Sequence, residues 1–308
     1  MPQKKWRAHA GEVIDQAGDY TVIACERCGF RHVTPIPDAA ALEAVYRDQY
    51  YTDEKPRFIT RHEEDITWWR QVYGERLALF ERELPAGRRA VLDVGCGPGT
   101  FLRVAGERGW RGLGIEPSRA AARHAKGFDL EVIEDFLGPE SAAGLGPFDA
   151  IHLSEVLEHL PDPAQMLGLV HDLLAPGGLV CLITPNDYNP FQRAARAALD
   201  APPWWLAPPH HINYFDVESL CRLAQAAGFT IVAREATFPM ELFLLMGENY
   251  IGRDSLGRGC HARRKAFDLA LAAPEMQTLK REFYRSLAGL GLGREVMVVA
   301  RKPEGGAA

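Results

Sequence analysis

Three glycines at alternate positions, Gly95, Gly97 and Gly99, follow the apolar run Val91-Leu92-Asp93-Val94 and precede a stretch with helical spacing. A turn of this kind lets a ligand approach the main chain closely, because no Cβ stands in the way. It also aims backbone N–H groups at polar ligand atoms from the start of a helix. The chemistry it suits is the binding of a nucleotide-like cofactor. Spacing narrows the choice: the dinucleotide fingerprint needs a glycine three residues after the second, and Thr100 stands there, which weakens a nicotinamide-dehydrogenase reading. Gly112 to Ser118 reads as a second strand carrying Glu116, about twenty residues beyond the first glycines, where a carboxylate can accept both ribose hydroxyls. Glu131 to Phe136 reads as a third strand, with Asp135 suited to an exocyclic amine and Phe136 to a purine face.

Three histidines form a second group. His159 follows the fourth expected strand, and His210 and His211 follow the fifth, so all three can reach the same open end of a sheet. An imidazole near its unperturbed pKa of about 6.5 suits base chemistry, and removing a hydroxyl proton in the transition state accelerates transfer by about 10²–10⁴-fold. One of the pair His210-His211 is expected to face the pocket and the other to be structural. A magnesium-assisted route is disfavoured, because the region shows no clustered carboxylates and adjacent histidines cannot chelate as an i, i+4 pair does.

The elements that must position these groups alternate. Strands at Phe148–Ser154 and Gly178–Thr184 continue the series, and later ones fall at Phe229–Ala233 and Glu295–Ala300. Alternating strands and helices imply an α/β, doubly wound, Rossmann-like sheet covered on both faces. Asp162 with Pro163 opens a helix whose buried face is Met166, Leu167, Val170, Leu173 and Leu174. Asp216 opens another, with Val217, Leu220, Leu223 and Ala224 inside and Gly228 just past its end. Ile66, Trp69, Tyr73, Leu77, Phe80 and Leu84 line one face of a long helix ending near Pro85.

At this point the residues resemble the class I S-adenosylmethionine-dependent methyltransferases, in motif order from about Ala90 to Arg301. The likeness rests on Asp93 to Gly99, Glu116, Asp135-Phe136, Phe148-Asp149 through Leu157-Glu158-His159-Leu160-Pro161-Asp162-Pro163, and Leu174-Ala175-Pro176-Gly177-Gly178. Within the class it is similar to the small-molecule branch of quinone-biosynthesis and natural-product or sugar O-methyltransferases, through Thr184-Pro185-Asn186 and Pro209 to Phe215. The resemblance implies seven strands, the last inserted antiparallel between the fifth and sixth. It implies cofactor contacts at Asp93, Gly95, Gly97, Gly99, Glu116, Pro117, Asp135, Phe136 and Ser154, and candidate catalytic roles for His159, His210 and His211. The expected activity is methyl transfer to a small-molecule acceptor, most simply a hydroxyl. Nitrogen or carbon acceptors, or a binding protein that has lost transfer, are the alternatives.

Two further segments precede this domain, which is expected over residues 87–303, and a third is inserted in it. Residues 1–37 contain Cys25-Glu26-Arg27-Cys28-Gly29, the form of a zinc knuckle, but one knuckle supplies two ligands where structural zinc takes four. Trp6-Arg7-Ala8-His9 occupies the place of an earlier pair, so His9 and His32 would have to complete the site; the alternative is a metal-free hairpin. Residues 38–86 read as a helical cap in which Tyr46, Tyr50 or Tyr51 either closes the pocket or packs at the surface on the N-terminal segment. Residues of about 238–293 exceed a simple hairpin and read as a substrate lid, with an oligomer contact as the alternative, and Arg253, Arg258, Arg263 and Arg264 face solvent or bind a substrate anion.

The 308 residues carry a formal charge of −6 with both signs interspersed, so no global field favours a nucleic-acid partner. No run reaches the roughly 18 apolar residues of a membrane span, and Met1 to Trp6 leads into no apolar core, so a cytoplasmic enzyme is expected. Cys96, Cys181 and Cys221 are expected as buried thiols.

Overall fold

A computed structural model describes residues 9–305; Met1 to Ala8, and with them Trp6, lie outside the described residues. The central sheet has seven strands. In chain order they are β4 (Ala90–Val94), β5 (Arg111–Ile115), β6 (Val132–Ile133), β7 (Phe148–Ser154), β8 (Leu174–Pro185), β10 (Thr230–Ala236) and β11 (Glu295–Arg301). Across the sheet they run β10-β11-β8-β7-β4-β5-β6. β11 is antiparallel to both β10 and β8, while β4, β5, β6, β7 and β8 pair in parallel. The inserted antiparallel strand is therefore where the family resemblance implies it.

The strands are apolar at nearly every position because both faces are covered. Alternation assigns Leu92, Val94, Ile151, Leu153, Val180 and Leu182 to one core. Val91, Ala150, Leu179, Cys181 and Ile183 belong to the other. Helices α7 (Pro163–Leu173) and α9 (Val217–Ala226) line the first core, and α3 (Ile66–Glu83) and α4 (Thr100–Glu107) the second. The caps of α7 and α9 are as read: Asp162 accepts from the Gln165 N–H and Asp216 from the Ser219 N–H. Leu174, expected on α7, is the first residue of β8.

On α3 the buried face is Trp68, Tyr73, Arg76, Leu77, Leu79 and Phe80. Trp68 rather than Trp69 is fully inside, because the insertion between β10 and β11 packs on that side. That insertion holds α10 (Glu241–Leu245), α11 (Asp254–Ala270) and α12 (Gln277–Gly289). Asp268 of α11 accepts from the Trp68 indole at 2.9 Å and from the Tyr284 hydroxyl.

The N-terminal strands β1 (Gly11–Ala17), β2 (Tyr20–Cys25) and β3 (Arg31–Thr34) form an antiparallel meander, and the fourth strand of that sheet comes from far away. β9 (Asn213–Tyr214) pairs with β3, His32 opposite Asn213 and Arg31 opposite Tyr214. The meander is thus stitched into the segment that carries His210 and His211. It is followed by α1 (Ala39–Ala44), a π-helical stretch over Val45–Glu54 and α2 (Phe58–Glu64), which lead into α3.

Candidate active site

The β4–α4 turn has the backbone its glycines permit. Gly95 and Gly99 sit at φ of 69° and 82°, and a Cβ on Gly99 would stand 2.5 Å from Leu130 Cδ1 and 2.9 Å from Ala125 Cβ. Glu116, at the end of β5, accepts from the Gly97 N–H and the Ser118 N–H, both at 2.8 Å. One carboxylate thereby fixes the turn and the residue after Pro117, and each oxygen keeps a lone pair for a ribose hydroxyl. Burial pushes the Glu116 carboxyl up to about 7. Asp135, after β6, is bonded by Arg47 of the π-helical stretch at 2.8 Å, which holds its carboxyl below the usual range. The same guanidinium lies 5.0 Å from the centre of the Phe136 ring. The cap therefore reaches the expected adenine position.

Asp93 stands one step deeper. It is bonded to His152 Nδ1 at 2.7 Å, and His152 Nε2 lies 3.0 Å from Arg76 Nη1. Arginine can only donate, so His152 is neutral with its proton on Nδ1, and burial lowers its pKa accordingly. Phe101 stacks flat on His152 at 4.1 Å. Arg76 also approaches Ser154 Oγ at 3.4 Å, linking the cap helix to the end of β7. Neither Arg76 nor His152 stands out in the sequence; both sit inside apolar helical or strand patterns.

The acceptor end is assembled from the turn after β7 and the segment before β9. The Ile212 N–H donates to the Glu158 carbonyl at 2.7 Å, and the Asn213 side-chain amide donates to the carbonyls of Leu157 and Leu160 at 2.9 and 2.8 Å. These bonds set the His159 and His211 rings 4.9 Å apart. His159 Nδ1 lies 2.9 Å from the His210 carbonyl and 2.9 Å from the Tyr46 hydroxyl. A carbonyl only accepts, so the proton is on Nδ1 and the Nε2 lone pair is directed at Glu158, 3.7 Å away. Burial drives His159 down to about 4 and His211 to about 2. His210 contributes its backbone to His159 and its ring faces Tyr46 at 6.4 Å. Tyr46 is thus the cap tyrosine that reaches the histidines, Tyr50 packs on it at 5.2 Å, and the Tyr51 side chain lies outside the described residues.

The expectation that no carboxylates cluster here is corrected. Glu158 is 1% exposed, and neither of its oxygens has a hydrogen-bond partner. Burial and the neighbouring Glu155 carboxyl hold it well above the usual carboxylate range. Glu155, at a φ of 56°, is solvent-accessible yet closely surrounded, and that desolvation together with the Glu295 carboxyl pushes it up to about 8. Asp187, beyond β8, is pushed up to about 6. Sequence spacing concealed the cluster because Glu155 and Glu158 share one irregular turn while Asp187 arrives from another strand.

The insertion rests on the cap rather than standing clear of it. Of its four arginines, Arg258 pairs with Glu64 at 3.1 Å and Arg263 with Glu248. Arg264 is buried over Trp68 and 3.7 Å from Glu295, and Arg253 precedes α11. The surface-charge expectation therefore fails for Arg264, which the docking of α11 on α3 draws inside.

At the meander, His9, Cys25, Cys28 and His32 place their ligand atoms within 4.8 Å of one another. His9 Nδ1 lies 3.5 and 3.2 Å from the two sulfurs and 3.1 Å from His32 Nε2. A tetrahedral zinc site with ordinary bond lengths has edges of roughly 3.3–3.8 Å, within a few tenths of an ångström of these separations. His32 Nδ1 faces the Val33 carbonyl at 2.9 Å, which leaves Nε2 as the ligating nitrogen.

Residues 46–234 match the family model described as "Methyltransferase domain". Proteins named ubiquinone biosynthesis O-methyltransferase are similar to the chain. That of Caulobacter vibrioides is 28% identical over 184 residues, which is 56% of this chain and 72% of the relative. That of Pseudomonas aeruginosa is 38% identical over 112 residues, 34% of this chain and 48% of the relative. The fold is also that of the plantazolicin methyltransferase BpumL in complex with S-adenosylhomocysteine, at a TM-score of 0.50 and 13% identity, covering 85% of this chain and 94% of that one. The glycine turn, the double anchoring of Glu116 and the strand order agree with this match: the chain belongs to the methyltransferase-domain family and is a class I S-adenosylmethionine-dependent methyltransferase.

Proposed function

We propose that the protein methylates a hydroxyl of a small-molecule acceptor, a phenol in the first instance, at the end of the sheet where His159 and His211 meet. The carrying observation is the oriented pair: Nδ1 of His159 is committed to a carbonyl, its Nε2 faces Glu158, and burial keeps both this ring and that of His211, 4.9 Å away, neutral. The names of the similar ubiquinone-biosynthesis enzymes support an oxygen acceptor. The cofactor supplies a methyl carbon activated by its sulfonium. Gly95, Gly97 and Gly99 would lie along its methionyl part, Glu116 would accept its ribose hydroxyls, and Asp135 with Phe136 would meet its adenine. The protein's own work is to align the acceptor oxygen and take its proton. Alignment alone supplies much of the barrier reduction.

The test is a screen of phenolic, amino and carbon acceptors with methyl-labelled cofactor, reading the methylated atom by mass spectrometry and NMR. Methyl ethers support the proposal, and label on nitrogen or carbon alone refutes it.

We further infer that His9, Cys25, Cys28 and His32 hold a structural zinc, so that the described part of the N-terminal segment, from His9 to residue 37, forms a metal-braced meander, 38–86 a cap and 87–303 the cofactor-binding domain with its inserted helices. One equivalent of zinc in the purified protein, lost in Cys25→Ser with Cys28→Ser, is the expected result; a metal-free protein with two titratable thiols at these positions would overturn it.

A further inference from the structure

We propose that Glu158, His159 and His211 bind one divalent transition-metal ion of the manganese or iron type, on which the acceptor oxygen is held. The inference rests on the hydroxyl-acceptor reading above and changes how the histidines act within it.

The ligand atoms of these three residues lie within 4.8 Å of one another. For bonds of about 2.15 Å, ligands of a common ion stand roughly 3.0 Å apart when cis and 4.3 Å when trans, and His159 Nε2 is 3.7 Å from Glu158 Oε1. The second observation is independent of that proximity. Glu158 is 1% exposed, neither of its oxygens meets a hydrogen-bond donor, and the carboxyl group beside it is Glu155, so the spot is one that a cation would stabilise. Arg294 faces Glu241 at 4.0 Å and Arg47 is bonded to Asp135, while Lys55, over the Tyr50 ring at 5.0 Å, is the cation whose charge is felt at His159, His211 and Glu155. The third is the outer shell. His159 donates its other ring N–H to the His210 carbonyl, the arrangement that fixes the tautomer and orientation of a metal-bound imidazole. His211 Nδ1 is buried and has no hydrogen-bond partner.

Two imidazoles and one carboxylate leave open positions on an ion of this class, whereas an all-oxygen site would favour magnesium. Glu155, three residues before Glu158 in the same turn, borders those positions. The step balances without a further reactant. The metal-bound acceptor loses its proton to water in the recess, its oxygen forms a bond to the sulfonium methyl, and the C–S bond breaks with its electron pair retained on sulfur. Metal coordination stabilises the oxyanion in place of a bare imidazole base.

The test is manganese titration of chelator-treated full-length protein, followed by electron paramagnetic resonance and calorimetry, on wild type, Glu158→Gln and His211→Gln. Manganese is the probe because it disfavours the thiolates of the N-terminal cluster. The expected result is one site in wild type, weakened more than about 10-fold in each variant, since even outer-shell changes cost 10–100-fold. S-adenosylhomocysteine affinity, measured on the same samples, should stay within about twofold and certifies that the variants are folded. No manganese site in wild type, or equal binding in folded variants, overturns the proposal. Loss of S-adenosylhomocysteine binding by wild type would instead count against the cofactor reading.

Discussion

The two ends proposed for the site are built in opposite ways. At the cofactor end, Gly95 to Gly99 and Glu116 come from two adjacent parallel strands, and Glu116 is held by two backbone N–H groups. At the acceptor end, Glu158 with His159, His211 and Tyr46 come from three distant segments, and the contacts run mainly through side chains. Backbone-anchored binding tolerates sequence change around it, whereas a side-chain assembly depends on every contributing segment. The first end is suited to a constant ligand and the second to a variable one.

Breaking the acceptor end should have the largest effect. His159→Ala is expected to lower kcat by about 10²–10⁴-fold while the affinity for S-adenosylhomocysteine changes less than about twofold. Equal losses in both would show that the two ends are not separable. Glu116→Ala should do the reverse, weakening S-adenosylhomocysteine by roughly 100-fold in calorimetry, since hydrogen bonds to a charged group are worth about 1.5–3 kcal/mol each.

The pH dependence sharpens the contrast. Burial places the Glu116 carboxyl near 7, and the ionised form is the one that accepts both ribose hydroxyls. Affinity should therefore be full above pH 7 and fall as pH drops below it, by up to about tenfold per unit. A flat profile from pH 5.5 to 8 would remove Glu116 from the ribose. A smaller effect is expected at the bridge between the ends. Arg47→Ala removes a half-exposed ion pair with Asp135 and should weaken S-adenosylhomocysteine only about two- to fivefold.

The same contrast decides what the sequence reveals. The cofactor end is legible because its determinants are contiguous: an apolar strand, three glycines, then an acid at fixed distance. The capped helices α7 and α9 are legible for the same reason, whereas the antiparallel insertion of β11 is legible only through the family resemblance. The acceptor histidines can be nominated from sequence, but Glu158 cannot, because its burial depends on Ile212 and Asn213 closing over its turn. β9 has two residues and no periodicity, so its pairing with β3 is invisible to pattern reading. The Arg76–His152–Asp93 chain is hidden likewise: two of its polar members lie on faces that period-based reading assigns to the core.

The β3–β9 pairing also sets a timetable for synthesis. The meander is finished by Thr34, but the strand that covers its open edge emerges roughly 180 residues later. At 5–20 residues per second, that is a wait on the order of ten to thirty seconds. Throughout it β3 presents unpaired backbone groups, the kind of edge that invites pairing with another chain. His9, Cys25, Cys28 and His32 all leave the ribosome before the wait begins, so a metal clasp there can hold the nascent hairpin shut until Asn213 arrives.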